Sequence, residues 1–196
     1  MSQPTRISQA TLKYVAKLTQ KKYRRSEGKF VIEGARLVEE ALNSDWDLGM
    51  LLVDREILSK GEGVRALKAA EKRNCPVYEI SQEEVRKLSD TVTSQGIIAV
   101  VSMKEYIPDK LWPQLSRKSL IVGLDGISDP GNVGTMLRTC DWFGIDAVLI
   151  DGTSVDLYSP KVMRSAMGSI FHLPVFPDVD LLQQVREAKK HGFRVF

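Results

Sequence analysis

The stretch Ser119–Gly152, SLIVGLDGISDPGNVGTMLRTCDWFGIDAVLIDG, decides the fold class of the rear of this chain. SLIVGLDG reads as an apolar strand. After the tight turn Asp129-Pro130-Gly131, the apolar residues Val133, Met136, Leu137, Cys140 and Phe143 recur at helical spacing, Gly144 ends the helix, and DAVLIDG opens a second strand. Asn132 reads as the N-cap, its side-chain oxygen accepting from a backbone amide of the first turn. Strand, short glycine-containing loop, helix and strand form the unit of open α/β sheets, which place ligand sites at the carboxyl ends of their strands. Packing accounts for every feature but Arg138. It shares a helix face with Gly134 one turn earlier, so a long cation projects beside a position with no side chain to block approach.

Upstream, Leu12, Val15, Ala16 and Leu18 predict a helix that ends in the basic turn KKYRRSEGK. The series continues as a strand at KFVIEG, a helix at ARLVEEALNS and a strand at LGMLLVD. A helix near EGVRALKAAEKRN, a strand at PVYEI, a helix at SQEEVRKLSD and a strand at GIIAVVSM follow. KEYIPDKLWPQLSRKS then breaks the pattern with two prolines, mixed charge and weak periodicity, which suits a linker. The expected organisation is α/β throughout: a front domain over 1–103, a linker over 104–118 and a rear domain over 119–196. Beyond Gly152, helices are expected around SPKVMRSAMG and VDLLQQVREAKKHG, and HGFRVF reads as the opening of another strand. Two complete strands are too few for a comfortable core, so the expectation is a piece of a longer chain.

No run of eighteen apolar residues and no secretory leader appear, so the expected compartment is the cytoplasm. Cys75 and Cys140 form no Cys-x-x-Cys pair, and His172 and His191 have no ligand partners at useful spacing, so no metal is expected. The net charge of +3 identifies no partner, but its distribution is informative. Between Met1 and Arg36, Arg6, Lys13, Lys17, Lys21, Lys22, Arg24, Arg25, Lys29 and Arg36 face only Glu27 and Glu33, an electrostatic footprint suited to phosphate. No Gly-Lys-Ser/Thr follows the turn, and Gly126, Gly131 and Gly134 do not fit G-x-G-x-x-G, which argues against a triphosphatase or an ordinary dinucleotide enzyme. The lack of a G-x-S-x-G elbow argues against a serine hydrolase.

The segment LDGISDPGNVGTMLRTCDWFGIDAVLIDG closely resembles the first motif of the SpoU-type RNA ribose 2′-O-methyltransferases, knotted enzymes that use S-adenosylmethionine. SPKVMRSAMGSIFHLPV resembles the stretch that follows in that family, and KKYRRSEGKFVIEGARLVEEAL resembles the entry to its substrate-binding domain, similar to a ribosomal-protein fold. The resemblance implies a ribosomal-protein-like α/β RNA-binding domain followed by an incomplete SPOUT-type, knotted Rossmann-like α/β domain. It makes Asn132 and Arg138 the active-site pair and puts Arg164 near the RNA, with Lys21, Lys22, Arg24 and Arg25 gripping the substrate. Glu33 and Gly34 match the substrate-domain pattern, while Ser165 and Gly168 are expected to allow close packing. It further implies ribosomal or transfer RNA as substrate and a homodimer for the whole protein. The family's later cofactor motifs would lie beyond Phe196, so residues 1–196 are expected neither to bind the methyl donor well nor to methylate RNA. A non-catalytic RNA-binding module is the alternative.

Overall fold

A computed structural model describes residues 4–89, 91, 94–116 and 118–196. Asp90, at the end of the helix expected in SQEEVRKLSD, and Arg117, in the expected linker, lie outside the described residues. The chain divides into two units, residues 1–104 with 158–160, and residues 105–157 with 161–196.

In the first unit, β1 (Thr5–Arg6), β4 (Val77–Glu79), β3 (Leu48–Val53), β5 (Ile97–Ser102) and β2 (Lys29–Glu33) form one sheet in that spatial order. β1, β4 and β3 are parallel, whereas β5 runs antiparallel to both β3 and β2. Residues 97–101 are all fully buried, so β5, flanked by β3 and β2, is an interior strand with both faces covered, which explains its unbroken apolar run. Ile98 and Val100 join Val31 and Leu52 in a core completed by Leu12, Val15 and Leu18 and by Val85 and Leu88. The helix expected across the front is two helices, α1 (Gln9–Lys17) and α2 (Lys21–Glu27). The basic cluster therefore occupies a helix of its own rather than a helix end. The remaining helices are α3 (Ala35–Asn43), α4 (Arg55–Leu58), α5 (Gly61–Lys72) and α6 (Gln82–Leu88). Ser81 and Glu84 close a reciprocal capping box at the start of α6.

In the second unit β6 (Ile121–Leu124), β7 (Ala147–Asp151) and β8 (Val175–Val179) form a parallel sheet in sequence order. α7 (Pro130–Trp142) joins the first pair, α8 (Pro160–Ala166) and a short 3-10 turn join the second, and α9 (Leu181–Lys190) follows. The sheet thus has a third strand that sequence reading missed. Pro177 hides it, because proline usually demotes a run to non-strand, but β8 is an edge, where the missing N–H is tolerated. The ladder there skips one residue, Leu149 facing Phe176 and Asp151 facing Val179, a bulge beside the positive φ of 56° at Asp178. Residues 193–196 form no strand, unlike the expectation from HGFRVF.

The segment read as a linker contributes to the second core. Leu111 and Trp112 are buried with Ala147, Leu149, Phe176, Val179 and Ala188, and the Trp112 indole N–H donates to Gln184 Oε1 at 3.0 Å on α9. Its prolines stand first and second in two single-turn 3-10 helices, Pro108–Lys110 and Trp112–Gln114, which have no periodicity for a sequence to display.

Candidate active site

The carboxyl ends of β6 and β7 carry the site. Sheet pairing runs from Ile121 opposite Ala147 to Leu124 opposite Ile150; β6 ends there and β7 one residue later, at Asp151. Asp129, not Asn132, is the N-cap of α7: its Oδ1 accepts from the Asn132 backbone N–H at 2.8 Å, and Pro130 occupies the first helical position. The carboxylate outcompetes the amide because it sits directly before the proline, where the chain must be extended. Asn132 is therefore the third residue of the helix, exposed, and its side chain makes no hydrogen bond among the described residues. Released from capping, the carboxamide can both donate to and accept from a ligand.

Val133, Gly134, Leu137 and Cys140 form the buried face of α7. Phe143, expected on that face, is 74% exposed, and Trp142 beside it is 86% exposed. Arg138 is exposed, and its side chain has no ion pair or hydrogen bond among the described residues. The expectation for Gly134 is overturned. It is buried, and a Cβ placed on it would lie 2.2 Å from Ser165 Cβ and 2.7 Å from the Ser165 carbonyl carbon. The missing side chain admits α8 rather than a ligand, and Ser165 is the residue packed there. Arg164, half-buried on α8, stands one residue from this crossing.

Asn132 and Arg138 lie six residues apart, about 9 Å along the helix axis and about a third of a turn around it. Side chains so spaced can reach neighbouring groups of a ligand rather than a single atom. Sequence reading passed over Asp151, the last residue of β7. Its carboxylate binds the Gly126 N–H at 3.0 Å across the two loops, and its pKa is held well below the usual carboxylate range by the Ser154 hydroxyl, then by that of Thr153. The only signal was its place at a strand's carboxyl end.

On α2, Lys21, Lys22 and Arg25 are exposed, with the Lys22 ammonium 6.0 Å and the Lys17 ammonium 5.6 Å from the Tyr23 ring centroid. Arg24 departs from its expected role. It is 4% exposed and donates to Leu18 O at 3.1 Å and Thr19 O at 2.6 Å, closing the carbonyl end of α1. A side chain buried on those carbonyls is structural.

Two family models match this chain, one towards each end. Residues 9–99 match the MRM3-like substrate binding domain, and residues 119–196 match the SpoU rRNA Methylase family. The chain belongs to the SpoU rRNA methylase family. Among its SpoU relatives, the 23S rRNA (guanosine(2553)-2′-O)-methyltransferase RlmP of Bacillus subtilis is 38% identical over 92% of this chain and 66% of its own length. A solved RNA 2′-O ribose methyltransferase is 33% identical, with a TM-score of 0.73 over 96% of this chain and 69% of that one. An AdoMet-bound rRNA methyltransferase from Sinorhizobium meliloti is 26% identical, with a TM-score of 0.78 over 94% of this chain and 68% of that one. The chain spans 66% and 36% of the lengths of the first two curated SpoU relatives it matches. No helix among the described residues is long and apolar enough to cross a membrane.

Proposed function

We propose that this chain supplies the RNA-facing part of an enzyme that transfers a methyl group from S-adenosylmethionine to a ribose 2′-hydroxyl of ribosomal RNA. The observation that carries the reading is Arg138: an exposed guanidinium with no protein partner among the described residues, on the helix that starts at the carboxyl edge of the second sheet. The planar fork of such a group matches a phosphate bidentately. The matched families and the ribosomal-RNA names of the relatives support the same reading.

The methyl donor, when bound, supplies an electrophilic methyl on a sulfonium. The residues at this edge fit the RNA rather than that donor. Leu124 and Ile150, which could flank a purine, are buried in the core, and Asp151 already accepts from protein donors. Asn132 and Arg138 are polar and open. Arg138 holds the RNA backbone and lowers the energy of the neighbouring ribose oxygen as it becomes anionic. It does not take the proton, because a guanidinium stays protonated. Asn132 orients the sugar, and holding the hydroxyl in line is itself a large part of the barrier reduction.

Lys21, Lys22 and Arg25 contact RNA phosphate from the first unit, and Arg164 does so from the second. Residues 1–103 act as the substrate-binding domain and 119–196 as the catalytic one. The whole protein works in the cytoplasm as a homodimer. The test is to incubate the whole protein with S-adenosylmethionine and ribosomal RNA and to map new 2′-O-methyl groups. One defined ribose should be modified, and an unmodified RNA would overturn the reading. In parallel, replacing Lys21, Lys22 and Arg25 by alanine should weaken RNA binding and flatten its salt dependence, by a slope change of about 1 for each phosphate that is no longer neutralised.

A further inference from the structure

The polar node on Asp151 does more than fill a strand end. Its Oδ1 accepts from Gly126 N at 3.0 Å, from Ser154 N at 3.0 Å and from the Ser154 hydroxyl. Its Oδ2 accepts from Thr153 N at 2.8 Å and from the Thr153 hydroxyl. The Ser154 Oγ accepts in turn from Ile127 N at 3.0 Å, and Ile127 O accepts from Val155 N at 2.9 Å. These bonds begin where the β6–β7 ladder stops, so they continue the pairing of the two chains into their loops. Gly126 takes a left-handed φ of 64°, the conformation that turns its N–H toward the carboxylate. Two residues beyond Ile127 stands Asp129, the N-cap that sets where α7 begins.

We propose that Asp151 is a positioning residue for methyl transfer: through Gly126, Ser154 and Ile127 it fixes the loop that sets the start of α7, and with it the place of Asn132. This rests on the reading of the chain as a ribose 2′-O-methyltransferase. Every partner of the carboxylate is a donor, so an asparagine in its place would aim an N–H at another N–H on one side. The same saturation, with the depressed pKa that follows from it, makes Asp151 unsuited to accept the substrate proton.

The experiment uses the whole protein, with single-turnover methyl transfer to ribosomal RNA, RNA affinity by filter binding, and amide hydrogen exchange. Asp151→Asn should lower the rate at saturating RNA by about tenfold or more, since sub-ångström displacement of a reacting group is costly. Its RNA dissociation constant should stay within about threefold, because the loop orients bound RNA rather than holding it. The amides of Gly126 and Ile127 should exchange faster. Ser154→Ala acts on the same path, so the double variant should be no slower than the slower single. A normal rate in Asp151→Asn with freely exchanging loop amides, or additive losses in the double variant, overturns the proposal. Should Asp151→Asn not fold, Thr153→Ala removes one hydroxyl donor and should show a smaller loss in rate at unchanged RNA affinity; an unchanged rate there overturns the proposal equally. An inactive wild type instead overturns the methyl-transfer reading itself.

Discussion

Replacing Gly134 by alanine separates a packing role from a ligand-binding one. In an isolated helix this change stabilises by about 1 kcal/mol, because alanine loses less backbone entropy than glycine on folding. Here the new methyl would stand 2.2 Å from Ser165 Cβ, 2.7 Å from the Ser165 carbonyl carbon and 2.8 Å from the Ala166 nitrogen. Two of those are backbone atoms that no rotamer change can move, and ordinary carbon contacts lie near 3.5–4.0 Å. α7 and α8 must part by about an ångström, and such overpacking typically costs about 1–3 kcal/mol, more where the backbone resists. With two backbone contacts that cannot yield, the cost lies in the upper part of that range, about 2–3 kcal/mol, and the helix-propensity gain of about 1 kcal/mol leaves a net loss of about 1–2 kcal/mol. For a unit of this size the loss lowers the melting temperature by roughly 5–15 °C. Calorimetry or thermal circular dichroism measures it, with Arg138→Ala expected to melt like wild type. Adding Ser165→Gly should restore only part of the loss, since the backbone clashes remain. A Gly134→Ala protein melting at or above wild type would refute the close crossing.

Arg73 donates from Nη1 to Ala41 O at 3.2 Å, Leu42 O at 3.1 Å and Ser44 O at 2.7 Å, and from Nη2 to Trp46 O, closing the carbonyl end of α3. Arg73→Ala should destabilise the first unit by about 2–4 kcal/mol in a urea titration, the worth of losing charge-assisted bonds to half-buried carbonyls. Trp112→Phe keeps an aromatic side chain but loses the indole N–H, leaving the Gln184 carbonyl oxygen buried without its donor, which should cost the second unit about 1–3 kcal/mol in the same assay, with any loss from the smaller ring adding to it. Asp151 has a folded pKa below its unfolded value, so the stability it lends is complete above the unfolded aspartate value of about 3.9 and is lost as pH falls through the lower folded value. Urea midpoints of the second unit taken downward from about pH 4 should therefore fall less steeply in Asp151→Asn than in wild type.

The α/β class, the basic front and the strand–loop–helix bearing Arg138 were legible because each rests on local periodicity. What was hidden turned either on a local rule that periodicity does not show or on a neighbour that only the fold supplies. The cap of α7 passed from Asn132 to Asp129 because Pro130, directly after Asp129, takes the first helical position, a local rule that the reading of Asn132 as the cap did not weigh. Arg24 looked like its neighbours Lys21, Lys22 and Arg25 until the fold brought it onto the carbonyl end of α1, six residues back. Gly134 carries no mark of its packing against α8, some thirty residues on. β8 was concealed by Pro177, and Asp151 by resembling any polar residue at a strand end.

The most direct test of the account is single-turnover methyl transfer by the whole protein carrying Arg138→Lys, with RNA affinity and melting temperature measured beside it. Lysine keeps the charge but not the planar two-pronged fork, so the rate should fall by about 10²-fold or more, the scale of losing one donor aimed at developing charge, with the fold intact. A lysine enzyme that methylates ribose at close to the wild-type rate would contradict a backbone-gripping guanidinium at the edge of the second sheet.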